Sequence, residues 1–107
     1  MAYDEDLDAR VGEIVTEWGA VRKKMFGGSC YLLDGNMLTG VWKHWLIARI
    51  GEEAAAGALT QQHVAPFDIT GPPMRGWIMV DREGLDDANL ARWTNAARAC
   101  VATLPPK

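Results

Sequence analysis

Between Asp4 and Trp18 the apolar residues Leu7, Val11, Ile14, Val15 and Trp18 fall on one stripe at helical spacing, with polar residues between them. This pattern predicts an amphipathic helix. Asp4, Glu5 and Asp6 suit the positive N-terminal end of such a helix. Gly19 suits its end, because glycine accepts the left-handed backbone that often closes a helix.

The pattern then changes to β-formers, short alternations and turn residues. Val21 to Phe26 reads as extended, Gly27-Gly28 interrupts it as a β-bulge or tight bend, and Ser29 to Leu33 resumes extended structure. Asp34-Gly35-Asn36 is a hairpin signal, since a tight turn that matches strand twist needs positive φ at its centre. Met37 to Trp42 returns, Lys43-His44 turns again, and Trp45 to Ile50 alternates Leu46, Ala48 and Ile50 against Trp45, Ile47 and Arg49. Together these segments predict an antiparallel meander.

Residues 51–59, acidic at the start and alanine-rich, predict a second helix that Gly57 weakens. Pro66 makes His63 to Ile69 an irregular or edge segment, and Thr70-Gly71-Pro72-Pro73 a stiff loop follows. Gly76 to Asp81 predicts a short strand. Gly84 to Asp87 opens a last helix with Leu90, Trp93, Ala97, Cys100, Val101 and Leu104 on its core stripe, stopped by Pro105-Pro106. The order α-β-β-β-α-β-β-α predicts an α+β two-layer sandwich, an antiparallel sheet with helices on one face, because each amphipathic helix needs an apolar sheet face to cover.

Composition agrees with one such domain over residues 1–107, with 49% apolar and 23% charged residues. No apolar run approaches the roughly 18 residues of a membrane span, and the N-terminus is acidic where a secretory signal is basic and then apolar. A cytoplasmic protein without a membrane partner is expected. The formal charge of −3 argues against coating nucleic acid by bulk electrostatics. That charge is uneven: residues 1–20 net −5, residues 21–50 net +4 and residues 51–107 net −2. The basic middle is expected to pair with the acidic first helix inside the fold.

Cys30 and Cys100 have no CxxC or histidine-rich spacing around them, so buried free thiols are expected and neither a metal site nor a redox motif. His44 and His63 are isolated, and one imidazole without a sequence-adjacent partner provides no relay.

Several blocks resemble the N-terminal domain of the TfoX/Sxy family, bacterial proteins named for regulators of natural competence. They are Lys23-Lys24-Met25-Phe26-Gly27-Gly28, Gly35-Asn36-Met37-Leu38 with Gly40-Val41, Leu46 to Gly51 with Arg49, and Gly71-Pro72-Pro73-Met74-Arg75-Gly76-Trp77. Val80-Asp81 and the tryptophan-bearing final helix also fit, so the resemblance covers nearly the whole chain. It implies a secretion-chaperone-like α+β fold, no catalytic activity and no cofactor. It also implies a link to transcription activation, which full-length members exert together with the cAMP receptor protein. Those members carry a further C-terminal helical domain, and this sequence reads as the stand-alone N-terminal one. Trp42 and Trp45 depart from the smaller residues the resemblance leads one to expect.

No constellation of residues carries evident chemistry. Gly27-Gly28-Ser29-Cys30 matches neither a phosphate loop nor a nucleophile elbow, and Cys30 is activated only if Lys23 and Lys24 point toward it. The acid pairs Asp4/Asp6, Glu52/Glu53 and Asp86/Asp87 stand at predicted helix starts, where capping explains them. Met25, Phe26, Gly27, Gly28, Gly71, Pro72, Pro73, Gly76 and Trp77 are expected to serve the fold. Arg22, Lys23, Lys24, Trp42, Trp45, Arg49 and Arg75 form the candidate interaction surface, with Lys43 adding to the positive set.

The expected function is a non-enzymatic regulatory or adaptor module acting through a protein partner such as a transcription factor, with self-association across sheet edges as a secondary expectation. A small-molecule or peptide-binding module is the alternative. Direct nucleic-acid binding ranks third, because phosphate contacts would need nearly all of the few basic residues aligned.

Overall fold

The computed structural model describes residues 3–25, 27–68 and 71–106. Helix α1 spans Glu5–Val15, and the Asp4 side chain caps it by accepting the Leu7 amide. A short 3-10 turn over Thr16–Trp18 follows and ends at Gly19, whose φ of 91° is the left-handed closure read from the sequence.

Among the described residues six strands follow, one more than the hydrophobic pattern predicts: β1 (Val21–Met25), β2 (Gly28–Leu33), β3 (Asn36–Trp42), β4 (Trp45–Arg49), β5 (Val64–Pro66) and β6 (Trp77–Asp81). The extra strand arises at Gly27-Gly28. Instead of bulging a continuous strand, these residues reverse the chain, so that Met25 pairs with Gly28 and β1 folds back on β2. Gly27 supplies the turn's positive φ, at 76°. Gly28 answers a different need, since a Cβ there would stand 2.0 Å from the Val41 carbonyl oxygen of β3.

The Asp34-Gly35 hairpin forms as read, with φ of 53° and 81° at its two centre residues and Leu33 paired with Asn36. Lys43, at φ 54°, opens the second two-residue turn, which sets Trp42 opposite Trp45. All pairs are antiparallel in the order β1-β2-β3-β4-β6-β5, so β1 and β5 are the sheet's edges. Helix α2 (Glu52–Ala58) bridges β4 and β5, and α3 (Asp87–Val101), capped by the Asp86 side chain, closes the fold.

One sheet face packs Tyr31, Val41, Leu46, Ala48, Ile78 and Val80 against Leu7, Val11 and Val15 of α1, Ala55 and Ala58 of α2, and Leu90, Trp93, Ala97 and Val101 of α3. The two-layer α+β arrangement therefore holds. Cys100 departs from the predicted stripe, being half-exposed rather than buried. Among the described residues no helix covers the opposite face. There Ile47, Met79 and Phe67 form a second cluster, flanked by Met37, Trp42, Trp45 and Trp77. A register shift makes this cluster possible: Tyr31 pairs with Thr39 but Leu32 pairs with Met37, which leaves Leu38 as an extra residue on β3. Leu38 stays in the helix-side core while Met37 is turned to the other face.

Among the described residues no helix is long and apolar enough to cross a membrane.

Candidate functional site

The basic residues singled out from the sequence do not converge. Strand alternation places Arg22 and Lys24 on the helix side with Tyr31 and Ser29, and Lys23 on the other side with Cys30. Arg22 donates from Nε and Nη2 to Asp8 Oδ2 at 3.1 and 2.7 Å, and from Nη2 to the Tyr3 hydroxyl at 2.9 Å. This is the expected pairing of the basic middle with the acidic first helix, but it engages only that arginine. Asp4 and Asp6 pair instead with Arg82, and Arg10 with Asp87.

Asp8 lies between α1 and the sheet at 8% exposure. Its Oδ1 accepts the hydroxyls of Ser29 at 2.6 Å and Tyr31 at 2.8 Å. Burial alone would push the carboxyl's pKa up, but the hydrogen bonds from Ser29, Arg22 and Tyr31 outweigh it and hold the group below its ordinary value. The Tyr31 hydroxyl is pushed up to about 12, by burial first and by the Asp8 carboxylate second. Among the described residues no buried side-chain donor or acceptor lacks a partner, and the cluster ties α1 to the sheet.

Cys30 is buried, and burial pushes its thiol pKa up even though the Lys23 charge acts in the opposite direction. Lys24 is on the other face. The condition for an activated nucleophile is therefore not met. Among the described residues no group of three histidines, cysteines or acids stands together as a metal site. His44 lies 3.3 Å from Asp81 and stacks beside Trp45 at 5.2 Å, while His63 is exposed at a backbone φ of 68°.

The two tryptophans of the β3–β4 hairpin do come together. Trp42 and Trp45 pair across the β3–β4 turn, and both rest on the Ile47–Met79–Phe67 cluster. Trp77 is half-buried, stacked 5.5 Å from Phe67 and covered on one side by the Arg49 guanidinium at 5.3 Å. Phe26, also singled out, lies outside the described residues, as do Ile69 and Thr70.

The feature with the form of a binding site lies beside Trp77. Helix α2 and the segment Gly71–Trp77 enclose a cleft of about 330 Å³ between Ala55, Ala56, Leu59, Pro66, Met74 and Trp77. Its walls are mostly apolar, with Glu52 and Arg75 as the charged lining residues. Pro73 fixes the loop wall, and the Gly76 carbonyl accepts the amides of Ile50 and Gly51 at 2.9 and 3.1 Å, which pins the loop to the end of β4. Gly76 itself has φ 83°, a conformation that suits glycine there. Leu59 and Met74, at 41% and 42% exposure, are two of the three large apolar side chains that stand exposed among the described residues, and both line this cleft. Arg75 stands at the rim, its side chain 88% exposed and 4.0 Å from Glu52. Behind the Trp77 wall a second, smaller hollow of about 200 Å³ is lined by Arg49, Arg75, Cys100 and Leu104.

Of the sequence-derived surface, then, Arg49 and Arg75 reach this region, while Pro73 and Trp77, expected to serve the fold, form part of its walls. Leu59 and Ala56 were not singled out, although their helix had been read. The signal lies in Ala56 and in Leu59 at the helix's C-cap, which remain apolar although the buried stripe is already supplied by Ala55 and Ala58.

A family model described as TfoX N-terminal domain matches residues 13–101, which spans most of the chain from the second half of α1 through α3. No curated protein matches, and no solved structure does.

Proposed function

This chain belongs to the TfoX N-terminal domain family, and on that premise we propose that it is a non-enzymatic regulatory module that docks a short apolar segment of a partner protein in the cleft between α2 and the Gly71–Trp77 loop. The regulated process is proposed to be bacterial transcription, with competence the instance suggested by the family. One observation carries the docking reading: Leu59 and Met74 stand exposed on facing walls of an apolar cleft whose loop is stiffened by Pro72-Pro73. Exposed apolar surface that is concave and rimmed by charge marks interaction sites, because single exposed leucines and methionines are common but facing ones gain from a shared occupant. A stiff loop limits the entropy lost when that occupant binds. Arg75 at the rim suits an acidic residue next to the apolar one, in exchange for its long contact with Glu52.

A photoreactive phenylalanine analogue placed at Met74, in the full chain expressed in its host, tests the reading. The expected result is a discrete adduct with one protein, lost when Leu59→Asp is added. Adducts that are diffuse, absent or indifferent to Leu59→Asp overturn it.

The cleft volume also favours a second reading. About 330 Å³ of apolar space is within the range of small-molecule sites, so an apolar metabolite is the alternative occupant. Saturable quenching of Trp77 fluorescence by a small molecule, without any protein adduct, selects it.

A further inference from the structure

The two edges of the sheet are built differently. Strand β5 is three residues long and ends in Pro66, which has no amide hydrogen to offer a neighbouring strand. Strand β1 is five residues long and pairs only with β2, so alternate main-chain groups along Val21–Met25 point out of the sheet. Side chains 21–24 are all exposed, and Val21, at 59%, is the most exposed large apolar residue among those described. No backbone hydrogen bond from another described segment covers this edge.

We propose that the outer edge of β1 receives an extended, acidic segment of a partner protein as an added antiparallel strand. Charge selects the occupant. Arg22 is taken by Asp8, whereas Lys23 and Lys24 make no ion pair among the described residues of a protein with formal charge −3. A second copy of β1 does not fit. Antiparallel pairing centred on Lys23 sets that lysine opposite its own copy and Arg22 opposite Lys24, and a slip by one residue either way sets Lys23 opposite Arg22 or Lys24. Like charges placed directly opposite oppose pairing in each of these registers. Acids placed there favour it.

The alternation of β1 also specifies the segment. Val21 and Lys23 face the side of the sheet without helices, and Arg22 and Lys24 face the helix side. Read in the direction of an incoming antiparallel strand, the residues opposite Lys24, Lys23, Arg22 and Val21 are an acid, a second acid, an unconstrained residue and an apolar one. The third position is unconstrained because Asp8 already satisfies Arg22. Main-chain hydrogen bonds supply affinity in this mode of recognition, and alternate side chains supply selectivity.

The test is amide NMR on the full chain with a short capped peptide of the pattern Glu-Glu-Thr-Val flanked by threonines. The expected result is shift changes and slowed hydrogen exchange confined to Val21–Met25 and the adjoining β2. Binding should weaken about tenfold in the Lys23→Glu, Lys24→Glu double variant, as two attractive cross-strand pairs become repulsive. That variant should instead bind the peptide carrying Lys-Lys in place of Glu-Glu. A thermal melt matching the parent shows that the exposed substitutions leave the fold intact. No binding at millimolar peptide, shifts mapping to the cleft at Leu59 and Met74, equal binding of the lysine peptide by the parent, or concentration-dependent β1 shifts without peptide each overturn the proposal. Equal binding of a backbone N-methylated peptide does so as well, since it retains the charges and loses the strand's hydrogen bonds.

Discussion

The carboxylate of Asp8 in α1 and the hydroxyl of Tyr31 in β2 lie 2.8 Å apart, although 23 residues separate them in sequence. Asp8 joins α1 to both strands of the first hairpin, since its other oxygen holds Arg22 of β1. Replacing it removes the carboxylate that accepts the buried Ser29 hydroxyl and, among the described residues, leaves the Tyr31 hydroxyl only the Asp8 carbonyl and Arg22 only the Tyr3 hydroxyl. Asp8→Ala is expected to cost roughly 3 kcal/mol, and Tyr31→Phe about 1 kcal/mol, because the phenylalanine loses the hydroxyl's bonds to the Asp8 carboxylate and carbonyl but leaves the carboxylate three of its four donor contacts. Urea denaturation of both variants measures this, and an Asp8→Ala cost below that of Tyr31→Phe would contradict it.

The same pair sets a pH dependence on both sides of neutrality. The Asp8 carboxyl is depressed in the folded state, so its contribution is present above the ordinary carboxylate value and is lost as pH falls through the folded one. The Tyr31 hydroxyl is raised from 10.0 to about 12, so its contribution is present below pH 10 and is lost as pH rises toward 12. Stability measured against pH should therefore fall at each extreme in the parent. Asp8→Asn should flatten the acid limb, and Tyr31→Phe the alkaline one. An alkaline limb unchanged by Tyr31→Phe would assign that loss to other groups.

Glycines divide by their surroundings. A Cβ at Gly28 would stand 2.0 Å from the Val41 oxygen, and one at Gly40 would stand 2.5 Å from the Ser29 oxygen, both backbone atoms that cannot swing aside. Gly28→Ala and Gly40→Ala are each expected to destabilise the protein by roughly 2 kcal/mol or more, since β2 and β3 must separate. Gly57 in α2 has nothing within 4 Å of that position, so Gly57→Ala should stabilise by about 0.5–1 kcal/mol. Thermal melts of the three variants distinguish the two classes, and a stabilised Gly28→Ala would overturn the strand contact.

Leu59→Asp and Met74→Asp alter exposed positions whose contacts lie across an open cleft. Each is expected to change stability by no more than about 0.5 kcal/mol. Equilibrium unfolding checks this, and a loss of several kcal/mol would show that the cleft walls support the fold rather than a partner.

Much of this architecture was readable from residue pattern, and the reasons differ by element. The α1 stripe, the Asp34-Gly35 turn and the Asp4 and Asp86 caps are local devices, each complete within a few residues, so spacing exposes them. The pattern leaves Gly27-Gly28 as either a β-bulge or a tight bend, and the structure shows the tight reversal. A glycine pair serves either purpose, and the choice is made by β3, whose Val41 leaves no room beside Gly28. The placement of Met37 on the uncovered face depends on a register shift against β2 that no local signal marks. The cleft was half legible: the glycine–proline loop declares itself, but the helix wall that faces it is brought there only by tertiary packing. Residues of one charge sign that neighbour each other in a strand alternate between faces, which is why Arg22, Lys23 and Lys24 are not one patch.

Transcript profiling in the host decides whether the cleft between α2 and the Gly71–Trp77 loop carries the proposed regulatory contact. Three strains are compared: the parent, a deletion of this gene, and one expressing the Leu59→Asp, Met74→Asp double variant at parental protein levels. The deletion is expected to alter a defined set of transcripts, and the double variant to reproduce that change. A double variant indistinguishable from the parent, or a deletion that changes no transcripts, would contradict it.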